Sequence, residues 1–139
     1  DVLDERKGLT VLTPHDGEFA RLSGCDLPIQ DRLGAARSFA LAHGCVVVLK
    51  GHRTITAAES GMCAVNSTGN SGMAKGGSGD VLAGIMGALL ARHDRADEAV
   101  NAVWLHGRAG DLAAEDKGEY GMMPSDLIEQ IPYAVKELV

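Results

Sequence analysis

The sequence predicts an α/β fold, and three observations carry that prediction. Cys45-Val46-Val47-Val48-Leu49 is a continuous apolar run of β-branched type. That is the pattern of a strand covered on both faces, and it favours a parallel sheet. From about Asp80 to His93, Val81, Leu82, Ile85, Met86, Leu89 and Leu90 recur at helical spacing. Between the two lies a glycine cluster where a strand enters and a helix leaves: five of the 18 glycines in the 139 residues fall from Gly69 to Gly79.

The remaining elements follow in order. Thr10-Val11-Leu12 reads as a short buried strand. The turn cluster Thr13-Pro14-His15-Asp16-Gly17-Glu18 leads into a short helix through Phe19, Ala20 and Leu22. Asp31 can cap a helix running to His43, with Leu33, Ala36, Phe39 and Ala40 on one face and Gly44 as its stop. Thr54–Ala57 and Met62–Val65 flank Glu59-Ser60-Gly61, the pattern of a hairpin. In the helix from Asp80 the flank opposite the large apolar residues is Ala83, Gly84, Gly87, Ala88 and Ala91. A helix apolar or small on nearly every side is expected to be buried and closely packed. Ala96 to Glu115 reads as a further helix, with Ala99, Val103 and Gly107 on one face. Ser125 or Asp126 can start the last helix, which Pro132 is expected to kink or split. Strands alternating with helices suggest α/β layers.

Composition excludes several classes. The length is that of one domain with a real core, and 45% apolar with 23% charged residues is ordinary for a globular protein. A formal net charge of −6 argues against a nucleic-acid module and against a polybasic membrane anchor. The run from Val81 to Ala91 is too short to span a bilayer, which needs about 20 apolar residues. No signal-peptide pattern opens the chain. Cys25, Cys45 and Cys63 form no C-x-x-C pair. They read as reduced thiols of a reducing compartment, Cys45 and Cys63 inside strands.

Chemistry concentrates in Asn66-Ser67-Thr68-Gly69-Asn70-Ser71-Gly72-Met73-Ala74-Lys75-Gly76-Gly77-Ser78-Gly79-Asp80. Glycines let backbone N–H groups turn toward one point, and the following helix adds its free N–H groups and positive dipole end. Together they form an anion cradle suited to phosphate. The segment is not a P-loop, since Ser78 stands where lysine is required, and it does not complete the dinucleotide fingerprint. Asp80 at such a cradle has two readings of equal weight from spacing: a plain helix cap, or the base that takes a proton from a hydroxyl attacking phosphorus.

These residues carry a resemblance. Gly-Met-Ala-Lys-Gly-Gly-Ser-Gly-Asp-Val-Leu-Ala-Gly, from Gly72 to Gly84, resembles the signature of the ribokinase-like superfamily. More narrowly it resembles the nucleotide-dependent NAD(P)H-hydrate dehydratases, the carbohydrate-kinase-like domain of the YjeF type. Three further stretches agree in order: Leu12-Thr13-Pro14-His15-Asp16-Gly17-Glu18, Val47–Thr54 with its Leu-Lys-Gly-x-x-Thr, and Leu105-His106-Gly107 with Ala109-Gly110-Asp111. Lys75 and Ser78 depart from the threonines usual in the family, and Ser67 and Ser71 from its prolines. Lys75 adds a positive charge to the cradle in this reading.

The resemblance implies a three-layer α/β/α ribokinase-like fold with a mostly parallel sheet. Residues 1–139 are then the C-terminal portion of one such domain, with its N-terminal half expected as a partner. It implies a lyase that repairs hydrated NADH and NADPH, using ADP or ATP as phosphoryl donor with Mg2+ and no metal ligands of its own. Asp80 would be the catalytic base and touch the substrate hydroxyl. His15 would contact the hydrated nicotinamide nucleotide. Lys50, Gly51, His52, Arg53 and Thr54, with Gly76, Gly77 and Gly79, would hold the nucleotide. Asn66 and Asn70 would orient the loop. A cytoplasmic homo-oligomer is expected, with no nucleic-acid or membrane partner. His43, His52 and His93 read as solvated side chains, and His106 as a helix-packing histidine. The competing readings are another ribokinase-like small-molecule kinase, of the thiamine-precursor type, and a nucleotide-binding fragment without activity.

Overall fold

The computed structural model describes residues 2–139. In chain order the elements are β1 (Val11–Leu12), α1 (Asp16–Ser23), α2 (Arg32–His43), β2 (Val46–Leu49), β3 (Ile55–Ala57), β4 (Cys63–Val65), α3 (Ser78–Arg92), α4 (Asp97–Gly121) and α5 (Pro124–Lys136). A single 3-10 turn covers Ser71–Met73. The chain forms two compact units, one running to Asn66 and including Asp94–Val100, the other comprising Ser67–His93 and Asn101–Val139.

The first unit holds a four-stranded sheet in the order β1-β2-β3-β4. β1 and β2 are parallel, with Val11 opposite Val46. The other two pairs are antiparallel, with Leu49 opposite Ile55 and Ala57 opposite Cys63. The sheet is therefore mixed, which corrects the expectation of a mostly parallel one. The helices α1 and α2 carry the chain back between β1 and β2, as parallel neighbours require. The short segments after β2 and β3 instead reverse the chain directly. β2 is buried along its whole length, as its apolar run predicts.

Phe19, Ala36, Phe39, Ala40, Cys45, Val47, Leu49, Ile55 and Ala57 form the core of this unit. The rings of Phe19 and Phe39 meet edge to face at 5.5 Å, a favoured aromatic geometry. Asp31 caps α2 by accepting from the Gly34 N–H at 2.9 Å, and Gly44 ends it in the left-handed region at φ 58°. Leu33, expected on the buried face, is exposed. His43 is not simply solvated: its ring lies 4.3 Å from that of Phe39, and its Nδ1 is 3.2 Å from the Asp4 carboxylate. Cys45 lies just before β2 rather than in it, while Cys63 opens β4.

In the second unit α3 packs against α5 and buries Leu82, Ile85 and Met86. Its small flank, Ala83, Gly84, Gly87, Ala88 and Ala91, is exposed. This corrects the expectation of close packing on every side. Alanine and glycine carry little apolar area, so exposing them costs little. α4 breaks at Gly118, at φ 71° and ψ 154°. α5 starts at Pro124, one residue before the predicted start, because proline suits the first helical position. It runs unbroken through Pro132, against expectation. Pro132 and Ile128 are both exposed, so the carbonyl deprived of its donor faces water.

Candidate functional site

The glycine loop is laid on α4 by close approach. A Cβ at Gly107 would come within 2.1 Å of the Thr68 hydroxyl, and one at Gly110 within 2.3 Å of the Met73 sulfur. Thr68 Oγ1 donates to the Trp104 carbonyl at 2.9 Å. Asp111 then grips the loop twice, accepting from the Gly69 N–H and from Asn70 Nδ2, each at 3.0 Å. Asn70 in turn accepts from the Gly72 N–H at 3.0 Å and so caps the 3-10 turn. Asn66 lies in the other unit, where its N–H donates to the Thr54 carbonyl at 2.9 Å.

Lys75 does not face the cradle. Its ammonium donates to the carbonyls of Glu119 and Tyr120 at 3.2 Å each, and to that of Met122. Glu119 and Tyr120 lie in the last turn of α4, which ends at Gly121, and a cation at a helix C-terminus is favoured. The charge assigned to the phosphates from sequence is spent on closing α4.

Gly77 stands at the N-cap of α3 at φ 101° and ψ −24°, with no side-chain cap. Among the described residues the N–H groups of Gly76, Gly77 and Gly79 have no partner. Asp80 is the third residue of α3, in its first turn, and is not the N-cap. It is exposed, and its carboxylate makes no hydrogen bond or ion pair among the described residues. The result is a helix end with open donors and an unengaged carboxylate beside them. The Ser78 hydroxyl is buried and unpartnered, while the Ser78 carbonyl accepts from His106 Nε2 at 2.9 Å.

In the first unit, the Thr-Pro-His-x-Gly-Glu stretch proves to be a capping box. His15 Nδ1 accepts from the Glu18 N–H at 3.2 Å, and the Glu18 carboxylate accepts from the His15 N–H at 2.8 Å. A Cβ at Gly17 would press on the His15 ring at 3.3 Å. The imidazole Nε2 lies 3.4 Å from the Glu18 carboxylate, and 55% of the His15 side chain is exposed. Glu18 also lies 3.8 Å from the Lys50 ammonium. The His15 N–H, and next Lys50 nearby, hold its carboxyl below the ordinary value. The Lys50 N–H donates to the Pro14 carbonyl at 2.8 Å, so His15 and Lys50 are adjacent at the ends of β1 and β2.

Lys50–Thr54 forms the reversal between β2 and β3. The Thr54 hydroxyl donates to the Gly51 carbonyl at 3.1 Å, and Arg53 is held at φ 57°. His52 and Arg53 are exposed. An open groove of about 450 Å³ lies beside the His15 turn, lined by Leu12, Thr13, Pro14, Glu18, Arg21 and Leu22. Arg32 carries the turn's support: Nε donates to Asp16 at 3.1 Å and Nη2 to the Lys50 carbonyl at 3.0 Å. Sequence reasoning passed over Arg32, which has no local signal. It also left Glu18 and Asp111 without roles, although the His-x-x-Glu spacing is that of a capping box.

The family model described as NAD(P)H-hydrate dehydratase matches residues 1–133. The chain is 51% identical over 115 residues to the bifunctional NAD(P)H-hydrate repair enzyme Nnr of Gloeobacter violaceus, covering 82% of this chain and 22% of that protein. The structure of the ADP/ATP-dependent NAD(P)H-hydrate dehydratase from Bacillus subtilis, co-crystallized with ATP/Mg2+, matches with a TM-score of 0.91 at 36% identity, covering 97% of this chain and 50% of that one. A ribokinase-like superfamily protein from Enterococcus faecalis matches with a TM-score of 0.81 at 34% identity, covering 91% of this chain and 44% of that one. The chain thus spans half or less of the length of these relatives. With the match running through residue 133, and the fold that of the ribokinase-like proteins, this chain belongs to the NAD(P)H-hydrate dehydratase family.

Proposed function

We propose that this chain is the C-terminal portion of a ribokinase-like domain that dehydrates hydrated NADH and NADPH, using ADP or ATP. The observation that carries the reading is the N-terminus of α3. There the bare N–H groups of Gly76, Gly77 and Gly79 adjoin the unengaged carboxylate of Asp80. Open donors at a helix end suit phosphate. A carboxylate kept free beside them suits proton removal from an attacking hydroxyl.

Asp80 takes the proton of the ring hydroxyl as its oxygen bonds to the terminal phosphorus of the nucleotide. The bond from that phosphorus to the bridging oxygen breaks, and the developing charge falls on the N–H groups led by Gly79. The ring C–O bond then breaks with departure of phosphate, pushed by the ring nitrogen's lone pair, and loss of the proton on the adjacent ring carbon to solvent restores the C=C bond of the dihydronicotinamide. The family resemblance assigns Lys50, Gly51, His52, Arg53 and Thr54 to the nucleotide, and His15, whose side chain is more than half exposed, to the nicotinamide nucleotide. Asn70 and Asp111 hold the loop in register, and Asn66 anchors the strand that enters it.

Among the described residues no three His, Cys, Asp or Glu side chains are arranged to hold a metal ion. Magnesium would be held by the nucleotide phosphates and water. The three free thiols suit a reducing compartment, in keeping with a cytoplasmic location. No helix among the described residues is long and apolar enough to cross a membrane. The test is recovery of NADH absorbance from hydrated NADH with ADP or ATP. Accumulation of a stable phosphorylated alcohol without that recovery would replace the dehydratase with a kinase.

A further inference from the structure

The hydrogen bond from His106 to Ser78 reaches further than helix packing. Ser78 C=O and Gly79 N–H are the two ends of one planar peptide unit. His106 Nε2 lies 2.9 Å from that oxygen, and a carbonyl can only accept, so Nε2 carries the proton. The N–H at the other end belongs to Gly79, has no partner among the described residues and is exposed. A bond donated to the oxygen polarises the unit and strengthens the donor at its far end. It also fixes the plane, and with it the direction of the N–H. The backbone that carries the imidazole is docked on the loop: the next residue, Gly107, sits against Thr68 so closely that a Cβ would overlap the hydroxyl at 2.1 Å.

We propose that His106 is a positioning residue of the anion site, aiming and strengthening the Gly79 N–H through the Ser78 carbonyl. It touches no ligand. The proposal rests on the functional reading above only in taking Gly79 as a phosphate donor. It gives the Leu-His-Gly-x-Ala-Gly-Asp stretch two tasks on one helix: Asp111 holds the loop before the cradle, and His106 tunes the cradle itself.

The test is titration of ADP into the isotope-labelled chain, followed by NMR at the Gly79 amide and the His106 ring. In the wild type both resonances should move together. His106→Leu should weaken ADP binding about 5-fold, and His106→Gln, which can donate to the same carbonyl, should restore it to within about 2-fold. Thermal melts of each variant separate fold damage from loss of the donor. If His106→Leu does not fold, the joint movement in the wild type decides. A folded Leu variant with wild-type affinity overturns the proposal. So does a folded Gln variant no better than Leu, a His106 ring that is silent while Gly79 responds, or a Gly79 amide that ignores ADP. A chain that binds ADP at Gly79 but does not restore NADH keeps this inference and loses the dehydratase reading.

Discussion

Asp80 is a first-turn acid rather than a cap, and its carboxylate is uncommitted. Asparagine matches its size and removes no bond, so Asp80→Asn should fold normally and keep ADP affinity. It cannot take the proton, and turnover should fall by about 10²–10⁴-fold. The check is paired: ADP affinity, and NADH recovery from the hydrate. More than about a tenth of wild-type turnover would send the base elsewhere. Two neighbouring glycines offer a second residue-level contrast. Gly77 sits at φ 101° with Pro124 Cγ only 3.2 Å from a would-be Cβ. Gly77→Ala should cost about 1–2 kcal/mol from the left-handed backbone alone. Gly76 has nothing within 4 Å, and Gly76→Ala should lie within about 0.5 kcal/mol of wild type. Urea melts of the two variants would show equal stabilities if the backbone at Gly77 were unstrained.

At the scale of elements, the start of α1 carries a pH dependence. Glu18 ionises below its ordinary value of 4.5, chiefly because the His15 N–H bonds its carboxylate. Its contribution is therefore fully present above that value and is lost as pH falls through the lowered folded one. Melting temperature should drop over that window, and Glu18→Gln should make the drop shallower. Identical acid profiles for the two proteins would mean that the box adds nothing. α3 gives the second element-level expectation. Gly84 lies in the helix interior with nothing within 4 Å of an added Cβ, so Gly84→Ala should stabilise by about 0.5–1 kcal/mol. A loss of stability in denaturant melts would mean that this flank is packed after all.

For the whole molecule, calorimetry should show heat of binding with ADP and with ATP, weakened when a chelator removes magnesium. No heat with either nucleotide would remove the nucleotide-site assignment. Much of the molecule was legible in the residues. The α2 caps at Asp31 and Gly44, the hairpin about Ser60, the buried run of β2 and the glycine-to-helix junction are local matters, settled by turn chemistry, side-chain period and backbone freedom. The order of four motifs carried the family. Other features depend on partners distant in sequence. An apolar run reports that a strand is covered, not which way its neighbour points, so the mixed sheet followed only from the short reversal after Leu49. A lysine in a glycine loop looks like a phosphate ligand until folding brings the last carbonyls of α4 to Lys75. An alanine- and glycine-rich helix face looks central until packing leaves it open. His106 reads as helix filler until its ring meets the Ser78 carbonyl, 28 residues away along the chain. Such bonds join groups whose separation in sequence carries no signal, and folding alone brings them within reach.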